Sequence, residues 1–315
     1  MPKRDFVHTT DFSKEDYFEI FRRMKIFDDG IKAGRDFSDL LRGKVLASMF
    51  LKESTRTMTA FQSGVIRLGG GWTGLTGVQG TYLGTGEEDI GDIVRSIAEV
   101  SDVMALRYND CDPQALAKMI HIPLINAMCG GEEHASGAIS LAYPMFKRWG
   151  TFEGKKIGMY GMVSSSRPMK AVLSALGTFG VRFLIDPVVD VFRAPDHIEQ
   201  LTQERGGSIA YAPIDEWIAD VDGLIWVEGL PQTGEPQKNV DAFNKAFHQF
   251  SLEDTTRIRP DCLFQAVTPR KTTDGRLTMS EDVDNHPQNI TWEVLNGFQF
   301  NAMALMTYLL GVEVK

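Results

Sequence analysis

Residues 45–57 read VLASMFLKESTRT, and the architecture of the chain can be worked out from them. Residues 45–51 form a short, mostly apolar run with the length of a buried strand, and the polar residues 52–54 that follow are typical of a turn. Apolar side chains then recur at three- and four-residue steps until a glycine run ends the pattern: Phe61, Val65, Ile66, Leu68 and then Gly69–Gly71. This stretch therefore predicts a strand, a polar turn and a helix.

The same alternation continues along the chain. Ser13, with Asp16 three residues later, forms a capping-box-like pattern at the start of a first helix. Short apolar runs predict further strands at 103–106, 123–127, 156–160, 183–186, 223–227 and 263–267. Helical patterns lie at 90–98, 113–120, 136–149, 170–179, 198–204, 241–247 and 301–310. Because strands that alternate with helices favour parallel sheets, the predicted fold class is α/β.

The length of 315 residues predicts two domains, because a single hydrophobic core usually stops growing at about 250–300 residues. A second series of strands and helices begins after Gly150. We therefore expect one domain of residues 1–149 with the C-terminal helix 293–315, and a second domain of residues 150–292. Each should be a mostly parallel sheet flanked by helices. Residues 73–86, rich in Gly and Thr, are predicted to form a long functional loop.

Composition excludes several classes of function. A formal net charge of −9 disfavours nucleic acid as a partner, and no apolar run approaches the roughly 18 residues of a membrane span. The first residues lack the apolar core of a secretory signal, so a cytoplasmic location is expected. Cys111, Cys129 and Cys262 lack the close Cys/His spacing of a zinc site. Neither a metal nor a cofactor is expected.

The polar turn after the first strand has the chemistry of a phosphate site. Ser54, Thr55 and Thr57 would place hydroxyls at a helix start, where free N–H groups and the helix dipole favour an anion. Arg56 adds a forked, permanently charged donor, and Arg107 follows a second strand. The alternative is a well-capped surface helix whose arginine forms a surface ion pair, and a short motif alone favours that alternative.

The wider context reverses this balance, because motifs along nearly the whole chain resemble those of the aspartate and ornithine carbamoyltransferase family. In chain order they are Phe50–Thr57, Leu106–Arg107, His134, Gly161 with Arg167, and Asp282–Asp284 ahead of Asn296–Gly297. The stretch 282–310 is closer to the aspartate branch, whereas Lys52 resembles the ornithine branch. The resemblance implies a first domain that binds carbamoyl phosphate, a second that binds an amino acceptor, and a homotrimer with active sites between subunits.

Carried over by match, the resemblance also implies roles for individual residues. Ser54, Thr55, Arg56 and Thr57 would hold the phosphate, Arg107 would reach both phosphate and carbonyl, and His134 would donate to the carbonyl oxygen. When a neutral amine attacks the carbamoyl carbon, negative charge builds on that oxygen. Preorganised donors such as Thr57, Arg107 and His134 would stabilise it, and phosphate would leave toward Arg56.

Three positions depart from the usual family pattern. Met58 stands where the family continues the cradle with a further arginine. No lysine lies between Lys52 and Lys118, although the aspartate branch places one in the loop before its Gly-Glu pair, here Gly86–Glu87. Gly137 replaces the glutamine that in the family contacts the carbamoyl amide. The sequence is therefore an atypical member of the family.

The acceptor side also departs. Arg167 matches the family arginine that grips the acceptor's α-carboxylate, and Thr268–Pro269 retains part of the family's proline turn, whose carbonyls would orient an amine. Glu228 lies where the aspartate branch has an arginine for the side-chain carboxylate, so it would repel aspartate and favour a cationic or amide acceptor. The alternative is that Glu228 points to solvent at a strand end.

The leading hypothesis is a carbamoyltransferase that uses carbamoyl phosphate and a small amine or amino acid other than aspartate. The second hypothesis is a catalytically silent paralogue that binds phosphate or carbamoyl phosphate for sensing or scaffolding, as the losses at Met58 and Gly137 suggest. A nucleotide-binding dehydrogenase is disfavoured, because no Gly-x-Gly-x-x-Gly follows a predicted strand.

Overall fold

The computed structural model describes residues 3–315 and places them in two compact units. The first unit contains the described residues up to Tyr143 together with Leu295–Lys315, and the second contains Pro144–Val294. Each unit is built around one parallel sheet with helices, so the predicted α/β class is confirmed.

The first unit holds a four-stranded sheet. Its strands are β1 (Val45–Phe50), β2 (Gly71–Thr76), β3 (Val103–Arg107) and β4 (Leu124–Asn126). Its helices are α1 (Lys14–Lys32), α2 (Arg56–Arg67), α3 (Tyr82–Thr85), α4 (Ile90–Ala98), α5 (Pro113–Met119) and most of α6 (Ala135–Trp149). The strand order is β2-β1-β3-β4, and every pairing is parallel.

The second unit holds a five-stranded parallel sheet. Its strands are β5 (Lys156–Tyr160), β6 (Arg182–Asp186), β7 (Ser208–Tyr211), β8 (Gly223–Trp226) and β9 (Leu263–Ala266). Its helices are α7 (Arg167–Gly177), α8 (Asp196–Glu204) and α9 (Gln237–Ala246). The strand order is β7-β6-β5-β8-β9, again parallel throughout. A last helix, α10 (Thr291–Leu309), begins here and returns the chain to the first unit.

Local sequence explains why the elements begin and end where they do. The capping box of α1 is present as predicted, because Ser13 accepts from the N–H of Asp16 while Asp16 accepts from the N–H of Ser13. Helix α2 ends in a glycine run, where Gly69 adopts a positive φ of 81°. Helix α10 packs on α2, since a Cβ on Gly64 would lie 3.2 Å from Met303 Cγ. Glycine at position 64 therefore permits this contact between the two helices.

Three predicted segments differ from the structure. Residues 71–76 form edge strand β2 although a loop was expected over 73–86, because this strand is mostly exposed and rich in glycine and so carries no apolar alternation. Strand β7 was not predicted, since it too is an edge strand and is only partly buried. Helix α10 begins at Thr291, ten residues before the helical pattern of 301–310 and two before the C-terminal helix assigned to the first domain, because its first turns mix polar and apolar side chains.

Among residues 3–315, no helix has the length and apolar character needed to span a membrane. Within the same range no group of three or more His, Cys, Asp or Glu side chains is arranged to hold a metal ion.

Candidate functional site

In the first unit the chain reverses its direction of winding between β1 and β3. From β1 the chain adds β2 on one side of the sheet, and then crosses back to add β3 and β4 on the other. Such a switch point leaves a crevice at the carboxyl ends of the two central strands, where open α/β sheets bind ligands. Phe50 and Arg107 are paired in register at that edge, and the N–H of Leu51 donates to the carbonyl of Arg107 at 3.0 Å. The polar turn and Arg107 therefore leave the sheet side by side.

The turn enters α2 with its hydroxyls at the helix start. Ser54 Oγ accepts from the N–H of Met58 at 3.3 Å, whereas Thr55, the residue before the helix, makes no side-chain capping bond. Thr57 is buried in the first turn, and Arg56 beside it is exposed. The sequence prediction of a strand, a polar turn and a helix is confirmed, and the phosphate role of these residues remains a prediction.

Met58 fills part of the space beside this turn. The hydroxyl of Thr76, the last residue of β2, lies 3.7 Å from Met58 Sδ. The side chain at position 58 is half-buried and reaches toward the end of the neighbouring strand. A polarizable thioether thus occupies the position where the family pattern has a cation.

His134 lies directly before α6 and caps it. The carbonyl of His134 accepts from the N–H of Ala138 at 3.1 Å, and its Nδ1 accepts from the N–H of Gly137 at 3.3 Å. The ring is buried, with only 4% of the residue exposed. Because Nδ1 acts as an acceptor, the neutral ring carries its proton on Nε2. His134 can therefore act as a hydrogen-bond donor through Nε2.

Gly137 makes this ring position possible. A Cβ on Gly137 would lie 2.7 Å from Cδ2 and 2.8 Å from Cγ of His134, which is closer than side-chain atoms normally approach. The imidazole thus occupies the volume that any side chain at position 137 would need. The departure from the family glutamine is linked in this way to the placement of the histidine.

Asn126 organises the loop that carries His134, and no motif in the sequence predicted this role. This buried residue ends β4, and its Oδ1 accepts from the N–H groups of Met128 at 2.8 Å and Cys129 at 2.7 Å. These bonds hold Met128 at a φ of 92°, which non-glycine residues seldom adopt. The Asn126 carbonyl also accepts from Ser136 Oγ at 2.8 Å, on the far side of His134.

Two thiols belong to this region, Cys129 in the loop itself and Cys111 beside it. Cys129 Sγ donates to the carbonyl of Leu106 at 2.9 Å, and Cys111 Sγ donates to the carbonyl of Tyr108 at 3.1 Å. Burial raises the pKa of the Cys129 thiol well above its ordinary value. Cys129 is therefore a protonated packing group at neutral pH.

The second unit repeats the switch-point arrangement, here between β5 and β8. Gly161 follows β5 with a φ of 127°, and a Cβ there would lie 2.9 Å from the carbonyl oxygen of Val227, which follows β8. Ser166 Oγ then caps α7 by accepting from the N–H of Met169 at 3.4 Å. Arg167 is the first residue of α7 and is half-buried.

The remaining candidates for the acceptor side follow β8 and β9. Glu228 is half-buried, and one of its carboxylate oxygens is enclosed. Its role toward the acceptor remains a prediction. Thr268 and Pro269 follow β9 and are joined by a cis peptide bond. Arg167, Glu228 and Thr268 thus follow β5, β8 and β9, three adjacent strands of one sheet.

Aromatic side chains lie at the carboxyl ends of β5 and β8, where these loops begin. Tyr160, at the end of β5, has its ring centroid 4.4 Å from that of Trp226, at the end of β8. The hydroxyl oxygen of Tyr160 accepts from the N–H of His248 at 2.9 Å. Burial raises the pKa of Tyr160 to about 12, so the phenol stays neutral at physiological pH.

Both units are doubly wound parallel α/β folds, and the first has a hydroxyl- and arginine-bearing turn at its switch point. The profile described as "Aspartate/ornithine carbamoyltransferase, carbamoyl-P binding domain" matches residues 4–143. The aspartate carbamoyltransferase catalytic subunit of Thermococcus kodakarensis is 31% identical over 252 residues, which cover 79% of this chain and 80% of the relative. That of Methanopyrus kandleri is 27% identical over 312 residues, covering 98% and 97% of the two chains.

Solved structures show the same fold. Aspartate transcarbamoylase from Trypanosoma cruzi, in complex with aspartate and phosphate, superposes with a TM-score of 0.86 at 20% identity, covering 97% of this chain and 95% of the other. The catalytic subunit of the M. jannaschii enzyme gives a TM-score of 0.82 at 22% identity, with 98% of each chain covered. The chain belongs to the aspartate/ornithine carbamoyltransferase family.

The contact between Gly137 and His134 can be tested by adding a single methyl group. We expect Gly137→Ala to displace the imidazole and to weaken the bond from the Gly137 N–H, because the new Cβ would overlap the ring. The ¹⁵N resonances of the His134 ring should then show a changed tautomer balance. Gly131→Ala is the matched control, since a Cβ at Gly131 meets nothing within 4 Å. Unchanged His134 resonances in Gly137→Ala would contradict the proposed coupling.

Proposed function

We propose that this protein transfers the carbamoyl group of carbamoyl phosphate to a small amine or amino acid other than aspartate. The observation that carries the proposal is the pairing of Phe50 with Arg107, which brings the Ser54–Thr57 turn and Arg107 to one crevice. The first unit would bind carbamoyl phosphate, and the second would bind the acceptor. The family relationship supports the donor side, and the acceptor is argued from this chain's own residues.

On the donor side, charge and hydrogen-bond donors would hold the phosphate. The N–H groups of the first helical turn of α2 and the hydroxyls of Ser54, Thr55 and Thr57 would receive phosphate oxygens. Arg56 is exposed at the helix start and would neutralise part of the dianion. With Met58 in place of a cation, the departing phosphate would depend more heavily on Arg56.

The reaction itself would require no covalent enzyme intermediate. The neutral amine would attack the carbamoyl carbon, the C–O bond to phosphate would break, and the departing phosphate would take up the proton that the amine loses. Arg107 and the Nε2–H of His134 would donate to the carbonyl oxygen as its negative charge increases. The buried position of His134 would strengthen this donation, because electrostatic interactions increase where water is excluded.

On the acceptor side, Arg167 and Glu228 have opposite charges and follow adjacent strands. Arg167 would bind the α-carboxylate of an amino acid through a forked interaction. Glu228, with one oxygen enclosed, would repel a second carboxylate and favour a cationic or amide side chain. Thr268 and Pro269 would orient the attacking amine through their backbone carbonyls.

Replacing Arg56 tests the donor side. Mixing carbamoyl phosphate with a panel of amines should release phosphate from the wild type, and Arg56→Ala should lower kcat/KM by about a hundredfold or more. Arg67→Ala is the matched control, because Arg67 is an exposed arginine at the opposite end of α2. Wild-type binding of carbamoyl phosphate by calorimetry without turnover on any amine would instead support the silent paralogue.

Replacing Glu228 tests the acceptor. In the wild type, amide and cationic amino acids should have a higher kcat/KM than aspartate, and Glu228→Gln should raise the value for aspartate by about tenfold or more. Glu235→Gln removes a charge from the same loop and should leave the ranking unchanged. Preference of the wild type for aspartate, with no change in Glu228→Gln, would reject the acceptor proposal and leave the donor proposal standing.

We further propose a homotrimer. Edge strand β2 and its neighbours expose three large apolar side chains, Ile66, Trp72 and Tyr82, at 58%, 44% and 66% respectively. An exposed sheet edge with apolar surroundings is a typical interaction surface. Light scattering should give three times the chain mass of 35.1 kDa, and Trp72→Lys should lower that value. A monomeric wild type would contradict this assembly.

A further inference from the structure

Glu133, the residue before His134, is buried and accepts three hydrogen bonds from one distant segment. We name residues Val7–Asp11 the N-terminal clamp. His8 Nδ1 lies 2.9 Å from Glu133 Oε1, the N–H of Thr9 donates to the same oxygen at 3.2 Å, and Thr9 Oγ1 donates to Oε2 at 2.8 Å. Both carboxylate oxygens are therefore occupied by groups more than a hundred residues away in sequence.

The N-terminal clamp is itself rigidly held. Asp11 Oδ2 accepts from the N–H groups of Val7 at 2.7 Å and His8 at 2.8 Å, which closes the segment on itself. Tyr17 Oη donates to the carbonyl of Thr9 at 2.8 Å, and Thr9 is fully buried. Asn126 Nδ2 donates to the carbonyl of Val7 at 2.8 Å. The N-terminal clamp is thus fixed to α1 and to the end of β4.

His134 is consequently restrained from both directions along the chain. On its C-terminal side, Gly137 and Ala138 bond to its ring and its carbonyl. On its N-terminal side, the carboxylate of Glu133 anchors the preceding residue to the N-terminal clamp. A loop residue whose neighbours are fixed in this manner has little freedom to move its ring.

A buried carboxylate is a costly anchor unless its oxygens are hydrogen-bonded, as both are here. What the carboxylate adds is a charge-assisted interaction with His8. The negative charges of Glu133, Asp11 and Asp112 all act on His8, and each favours the protonated form of His8. The hydrogen bond with Glu133 is the largest cause that raises the pKa of His8 above its ordinary 6.5, and partial burial opposes it.

We propose that Glu133 is a positioning residue for His134, and that the N-terminal clamp holds it most firmly while His8 is protonated. The inference rests on the proposed function for the role of His134 in carbamoyl transfer. Glu133 and the N-terminal clamp lie outside the Ser54–Thr57 turn. The placement of the His134 ring would therefore depend on a contact with a distant segment of the first unit.

The direction of the pH dependence follows from the raised pKa. Below about 6.5 His8 is charged in both the folded and the unfolded chain, so the ion pair contributes fully. As the pH rises through the folded-state pKa of His8, the charge and its contribution are lost. The effect of removing His8 should therefore be largest in acid and should fade as the pH increases.

Three variants and one control test the proposal. Glu133→Gln keeps the shape but removes the charge, Thr9→Val removes one donor, and His8→Gln removes the titrating partner. Glu132→Gln is the control, because it removes the same charge from an exposed side chain one residue away. We expect Glu133→Gln to lower kcat about ten- to a hundredfold with little change in the KM for the amine, through displacement of His134.

Two readouts separate positioning from mere stability. The ratio of wild-type to His8→Gln kcat should fall toward one as the pH rises through the His8 pKa, whereas Glu132→Gln should show a constant ratio. The ¹⁵N resonances of the His134 ring, assigned by their loss in His134→Asn, should show a changed Nε2–H tautomer balance in Glu133→Gln and a smaller change in Thr9→Val.

The outcomes are distinguishable. A lower melting temperature in Glu133→Gln, with His134 resonances and kcat unchanged, would mean that the residue is only structural and would overturn the inference. If the wild type transfers carbamoyl to no amine, the proposed function fails, and the ring resonances, which need no turnover, decide the positioning role alone. Should Glu133→Gln not fold, Thr9→Val and His8→Gln carry the same comparison.

Discussion

The placement of the candidate residues in each unit depends on one topological constraint, the reversal of winding in its parallel sheet. A parallel sheet can place polar loops from two neighbouring strands at one point only where the connections leave in opposite directions, because elsewhere a crossover helix covers the strand ends. In this chain the reversal lies between β1 and β3 in one unit and between β5 and β8 in the other. The Ser54–Thr57 turn, Arg107 and Arg167 owe their positions to these two reversals.

The departures from the family pattern are accommodated by local packing. Met58 contacts the hydroxyl of Thr76 through its sulfur, and the imidazole of His134 occupies the volume left by Gly137. The absence of a side chain at position 137 and the placement of the His134 ring are thus coupled in this chain.

Much of the fold could be predicted from the sequence because buried parallel strands are continuous apolar runs. Strand β5 and helix α4 have the bounds that their patterns predicted, and the capping box of α1 is where Ser13 and Asp16 place it. The exposed edge strands lacked this signal, since a strand with little buried surface has no hydrophobic pattern to display. A hydrophobic pattern in the sequence therefore predicts a strand or helix best where that element is buried.

The site was predictable only in part, for a related reason. Residues such as Arg107 were recognisable because they follow strands, and their order along the chain resembles a family. Asn126 and Glu133 were not recognisable, because their hydrogen-bond partners in the N-terminal clamp lie 119 to 125 residues away in sequence. A side chain that acts by holding another has no local signature, and only the folded chain brings the two ends of its hydrogen bonds together.

The same logic explains why a close match of fold leaves the acceptor open. The sheets fix where loops emerge, and the loops determine what is bound. In the second unit the charged side chains come from the segments after β5 and β8, where Arg167 and Glu228 have opposite signs. In the proposed acceptor site, one arginine and one carboxylate would complement a zwitterionic or amide ligand better than a dianion. Under that proposal the charge of a few loop residues would set acceptor choice, and proteins that share the whole fold could differ in it.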